Sequence, residues 1–240
     1  MKNLQLPVKI NHQITFFIQK LEEAYGQELL SVILYGSAAS GEFVAKHSNL
    51  NILVVLESTD LLQLKKASRI VKKFKNLSPL FLTEKYILSS TDVFPIEFLD
   101  MQENYVVLYG KDILKNIYLD LKNLRFQCEQ ELRLKLLNLK QLYIRLSDQP
   151  AILTESLLKS FTSVLHILRN VLRLKNIKPP YKKEELLKEL AKHFKIEAGK
   201  WEKILAVKQK KIKTNKAEIE ELFITFVNNL EEIIQTVDVL

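Results

Sequence analysis

Beyond Ile117 the chain is dominated by segments whose apolar residues step by three or four, a spacing that restricts this half to packed helices. Leu121, Leu124, Cys128, Leu132, Lys135, Leu139, Leu142 and Leu146 step by three or four and describe a long amphipathic helix, which Pro150 is expected to end. Leu153, Leu157, Phe161, Val164, Leu165, Leu168 and Leu172 describe a second, closing before Pro179-Pro180. Glu184 to Phe194, Trp201 to Val207 and Lys216 to Val237 supply further helical segments, and the sum is an antiparallel helical bundle.

The first half is punctuated differently. Four of the five glycines fall within the first 110 residues. Val8 to Tyr25 reads as a helix with Ile14, Phe17, Ile18 and Leu21 inward and Gly26 as its stop. Ser31–Tyr35, Asn51–Leu56, Pro79–Thr83 and Tyr105–Leu108 read as strands. Ser58-Thr59-Asp60 offers caps for a helix running to about Asn76, and a further helix or turn falls within Asp92–Tyr109. The class is therefore α+β: a small mixed-sheet domain over residues 1–116 and an all-α bundle over 117–240, divided near residues 112–119.

One cysteine, Cys128, rules out an internal disulfide framework or a zinc ribbon and points to a reducing cytoplasm. No stretch approaches the ~20 uninterrupted apolar residues of a membrane span, so no membrane association is expected. The opening residues, Met1 to Pro7, lack a secretory apolar region. A formal charge of +8 permits a polyanionic partner without showing one, and a solvated lysine-rich surface is the simpler reading.

Chemistry concentrates in LYGSAASGEFVAKHSNLNILVV, Leu34 to Val55. A strand leads into Gly36-Ser37, a polar stretch follows, and Asn49 and Asn51 sit two apart at the entry to a second strand, on one face. Gly36 allows close backbone approach to a phosphate, Ser37 adds a hydroxyl, and the following amides can form an anion nest.

This segment resembles the nucleotidyltransferase (DNA polymerase β-like) superfamily, most of all its kanamycin and minimal nucleotidyltransferase types. The specific likeness covers residues 31–56 and 92–114, the latter through DVFPIEFLDMQENYVVLYGKDIL. The resemblance implies Gly36 and Ser37 as nucleotide-binding positions. It also implies two aspartates that hold Mg²⁺ against the triphosphate where this chain has Asn49 and Asn51. A third carboxylate, expected on a neighbouring strand, is assigned to Glu97, with Asp100 and Glu84 as weaker choices. Neutral amides do not offset the dehydration of Mg²⁺, so no metal site is expected, and Mg²⁺ enters only if activity remains. Two readings stay open: a catalytically degenerate relative that binds NTP, nucleic acid or a protein partner, and an active enzyme moving NMP from NTP to a hydroxyl of a small molecule, protein or RNA. Oligomerisation is open as well.

Each feature has a plainer alternative. Gly36-Ser37 can be only a tight turn, Asn49 and Asn51 only turn and strand-start residues, and Glu97 and His47 only surface groups. His166 reads as a packed helix residue. Arg169 to Lys175 begins like the Arg-polar-His series of HEPN-type ribonucleases. Lys175 stands where the general base is needed, however, so an ordinary amphipathic helix is the better reading. The run Lys208-Gln209-Lys210-Lys211-Ile212-Lys213 is the densest basic stretch. It lacks interleaved aromatics and reads as a solvated connection.

Overall fold

The structure, a computed structural model, describes residues 6–40 and 50–240. It divides into two compact units, Met1–Leu119 and Asp120–Leu240. In the first, α1 (Val8–Tyr25) leads through a 3₁₀ turn into β1 (Leu29–Tyr35) and a single helical turn, α2 (Ser37–Ser40). Then come β2 (Leu50–Leu56), α3 (Leu61–Val71), β3 (Leu77–Thr83), α4 (Glu84–Ser89), α5 (Pro95–Glu103) and β4 (Tyr105–Gly110). The four strands are ordered β3-β2-β1-β4, with β1 antiparallel to both its neighbours and β2 parallel to β3.

Both faces of this sheet are covered, which is why the two central strands read as unbroken apolar runs. Val32, Leu34, Ile52 and Val54 pack on one face with Phe17 and Leu21 of α1 and Ala67 of α3. Ile33, Leu53 and Val55 pack on the other with Ile87 of α4, Phe98 and Met101 of α5, and Ile113, Leu114 and Ile117 beyond β4. The edge of β1 facing β4 is tightly drawn. Ser31 is buried, and its hydroxyl donates to the Lys111 carbonyl at 2.7 Å. Gly110 holds φ +72°, and a Cβ built there would lie 2.0 Å from the Leu30 carbonyl oxygen.

The elements depart from the sequence expectation in three places. α3, capped by Asp60, whose carboxylate accepts from the amides of Leu62 and Gln63, ends at Val71 rather than near Asn76. Phe74 turns into the core against Phe16 and Phe17, and β3 takes over at Leu77. Pro79 is tolerated inside β3 because that strand is an edge. α4 was not anticipated: it is six residues long, too short for periodicity to show, and Thr83 caps it. Pro150 does not end α6; it opens α7, where a residue without an N–H suits the first turn.

The second unit comprises α6 (Leu121–Leu146), α7 (Pro150–Leu174), α8 (Lys183–His193), α9 (Ala198–Lys208) and α10 (Lys216–Asp238). α7 has the length and apolarity of a bilayer-crossing helix, and it buries Leu157, Phe161, Leu165 and Leu168 in the bundle. Cys128 of α6 is fully buried. Trp201 of α9 meets Phe161 at 5.6 Å and Phe226 at 5.1 Å between ring centres. Its indole N–H donates to Asn229 Oδ1 at 3.0 Å, and the same oxygen accepts the Glu197 amide at 3.0 Å. One buried amide thus ties the start of α9 to α10.

Candidate functional site

At the end of β1 the backbone of Gly36 takes φ +75°, a left-handed conformation that favours glycine. Its N–H donates to the Asn104 carbonyl at 3.0 Å, and its carbonyl accepts from Ala39 at 2.9 Å. These two bonds fix the turn between the strand and α2. Space is short as well: a Cβ at position 36 would lie 3.3 Å from Asn51 Nδ2. The Gly-Ser turn and the second strand of the motif therefore meet at the Asn51 amide.

Strand register fixes what surrounds that amide. Asn51 pairs with Tyr35 on β1 and with Ser78 on β3, and Tyr35 pairs in turn with Tyr105 on β4. Paired residues share a face, so Ser78, Asn51, Tyr35 and Tyr105 form a row across all four strands. The row lies on the face that also carries Ile33, Leu53 and Val55. Burial raises the Tyr35 phenol above its ordinary pKa. Burial also raises Tyr105, aided by its hydroxyl donating to Asp112 Oδ2 at 3.1 Å. Both phenols are thus held neutral across the physiological range.

The same register tests whether a divalent cation fits. On this face the strands beside Asn51 present Ser78, Leu80 and Leu82 from β3, Ile33 and Tyr35 from β1, and Tyr105 and Val107 from β4. None is acidic. Among the described residues no group of three His, Cys, Asp or Glu side chains could hold a metal ion. Mg²⁺ retains its waters unless carboxylates or phosphates replace them, and the described residues supply no such set.

The other expected site residues fall as follows. Asn49 and His47 lie outside the described residues. Ser37 opens α2. Glu97 is not on a strand: it lies exposed in the first turn of α5, between the buried Ile96 and Phe98. Asp100 is on the same helix. Glu84 opens α4 just beyond Thr83, whose register partner is Leu56, at the far end of β2 from Asn51. His166, expected to be packed, is exposed on α7. Arg169, first residue of the HEPN-like series, donates to the Pro180 carbonyl at 2.7 Å and lies 4.7 Å over the Tyr181 ring, anchoring the connection from α7 to α8. Tyr35, Ser78, Tyr105 and the Asn104 carbonyl were not singled out from the sequence. The alternation of β1 could have flagged Tyr35, but the other three reach the site only through long-range pairing.

No protein-family model matches this chain, and no curated protein matches its sequence significantly. Among solved structures, a spectinomycin adenyltransferase from Enterococcus faecialis, crystallised with ATP and spectinomycin, is similar in fold. The match has a TM-score of 0.57 at 15% sequence identity and covers 92% of this chain and 99% of that one. The chain has an α+β nucleotidyltransferase fold: a small mixed sheet followed by a helical C-terminal part.

Proposed function

We propose that this chain is a catalytically degenerate nucleotidyltransferase-fold protein that binds a nucleoside triphosphate at the Gly36 turn without transferring its nucleotide. The observation that carries this reading is the row around Asn51. A neutral amide stands where the family resemblance implies a metal ligand, and none of the adjoining strands offers an acid on that face. Removing one electrostatic group from such a site commonly costs ~10²–10³ in rate, and here Asn49 and Asn51 both replace carboxylates. The phosphate-binding part needs no carboxylate. It rests on the glycine turn and on the turn's backbone amides other than those of Gly36 and Ala39, which are already bonded within the protein, and such amides suit an anion whether or not a metal is present. ATP in the structurally similar adenyltransferase supports an NTP as the ligand.

The test is transfer of labelled nucleotide from ATP, CTP, GTP and UTP to a panel of hydroxyl acceptors, beside equilibrium NTP binding. Binding is expected to survive EDTA, to weaken with salt and to fall in Ser37→Ala, with no transfer detected. Metal-dependent transfer by the wild type, abolished in Asn49→Ala, would instead establish the active enzyme.

A further inference from the structure

The formal charge of +8 is unevenly placed. Between Arg173 and Lys216 fifteen lysines and arginines stand against five acids, while the rest of the chain carries twenty-one against twenty-three. The whole positive excess therefore belongs to the end of α7, to α8 and α9, and to the connection into α10. The fold concentrates it further, because the start of α8 meets the end of α9. Gln209 Nε2 donates to Glu184 Oε1 at 2.7 Å across this junction. Lys208 is brought close enough to Lys183 to feel its charge. Burial first, and then Lys183, push the Lys208 ammonium below its ordinary pKa.

Four of the nine other lysines of this stretch are neutralised by acids. Lys182 pairs with Glu185, Lys192 with Glu189, Lys200 with Glu221 and Lys203 with Glu218. Lys183, Lys208, Lys210, Lys211 and Lys213 form no ion pair among the described residues, and all but Lys208 are exposed. Lys210 moreover occupies a left-handed backbone position, φ +58°, where glycine or asparagine would be easier. Glu184 is the acid that faces this group: its bond to Gln209 first, and then the charges of Lys211 and Lys183, hold its carboxyl below the usual glutamate range. A surface shaped for stability alone intersperses the two signs more evenly, so five lysines gathered by the fold around one acid mark a place where another demand has prevailed.

We propose that the junction of α8 and α9, presenting Lys183 and the Lys208–Lys213 turn, is a docking surface for the phosphate backbone of a nucleic acid. Binding there is independent of base sequence. The turn holds no aromatic side chain, and the nearby Tyr181 ring is already stacked against Arg169. A membrane surface is the weaker fit, since Ile212, at 38% exposure, is the single large apolar side chain the turn offers for insertion. This inference stands apart from the site at Gly36 and does not depend on it.

The experiment is fluorescence anisotropy of the full chain with a labelled single-stranded RNA of about 20 nucleotides at several salt concentrations, a matching DNA and phosphatidylserine vesicles serving as parallel arms. The variant set replaces Lys183, Lys210, Lys211 and Lys213 with Gln. Lys208 is spared because its ammonium lies against the Leu158 carbonyl. A control set replaces the exposed Lys9, Lys65, Lys72 and Lys73 with Gln, removing equal charge from the first unit. Each phosphate contact contributes about 0.7 to the slope of log affinity against log salt for a single strand, so the first set is expected to lower the slope by about 3 and to weaken binding more than ~10-fold. The control set is expected to change little, and replacing the same four α8–α9 lysines with Arg is expected to retain binding. Equal binding of RNA and DNA, or tighter binding of RNA, both support the proposal. Equal loss in the two sets, loss in the Arg set, or binding to vesicles but to neither nucleic acid overturns it.

Discussion

At the scale of the residue, the molecule turns on three small side chains in demanding places. Gly110 is the least replaceable. Its backbone is left-handed, and the atom that a Cβ would strike is main-chain oxygen rather than a movable side chain. Gly110→Ala is therefore expected to cost at least ~3 kcal/mol by urea denaturation. Gly36 is more forgiving. There the neighbour is the Asn51 amide at 3.3 Å, so Gly36→Ala should cost only about 1–2 kcal/mol, mainly for φ, while displacing Asn51 and weakening NTP binding. Asn51 itself, with Asn49, admits a direct chemical test. Calorimetric titration should find weak Mg²⁺ binding in the wild type and much tighter binding in the double change Asn49→Asp and Asn51→Asp, which restores two carboxylates to the motif. Micromolar metal binding by the wild type, lost in Asn51→Ala, would contradict the degenerate site. The turn at Gly36 and the place of Asn51 at the entry to β2 were legible in the sequence because turn chemistry and two-residue alternation are local properties. The setting of Glu97 was not. The sequence pattern suggests a strand around it, whereas Pro95 starts a helix there, and the strand that does flank Asn51 presents Ser78.

At the scale of the element, legibility followed length. The long helices α1, α6, α7 and α10 declared themselves through periodicity, whereas α4 and the early end of α3 depend on one cap and one buried ring. Caps and buried amides give measurable handles. Asn215 and Glu218 form a reciprocal capping box at the start of α10, so Asn215→Ala should cost about 1 kcal/mol. Asn229→Leu should cost more, about 2–4 kcal/mol, because it strands both the Trp201 indole N–H and the Glu197 amide; the thermal midpoint measures each. On α6, Glu129 sits between Arg125 and Arg133, bonded to both at 2.8 and 2.7 Å. The Arg133 hydrogen bond first, and then that of Arg125, hold its carboxyl below the usual glutamate range. A depressed folded-state pKa stabilises above the unfolded value and is lost as pH falls through the folded one. The difference in thermal midpoint between wild type and Glu129→Gln should accordingly be present at neutral pH and close on acidification below the ordinary carboxylate range.

At the scale of the whole molecule, each unit has a core of its own, the first around the two faces of the sheet and the second around Trp201 and its aromatic neighbours. Residues 120–240 alone should therefore fold, with a cooperative denaturant transition. The only tryptophan in the chain reports it directly, as emission that shifts from a buried to an exposed indole. A gradual, non-cooperative change would show that this unit needs the rest of the chain. The switch from a glycine-punctuated to a helix-periodic sequence near Ile117 made this division readable, while the pairing order of the strands, set by contacts far apart in sequence, was not. Cys128, fully buried in α6 and the one thiol among 240 residues, makes the folded chain a clock. A thiol reagent can reach that sulfur only while the protein opens around it, so the rate of modification, divided by that of the denatured chain, counts the fraction of time Cys128 spends exposed. No label, engineered cysteine or background correction is required to hear it tick.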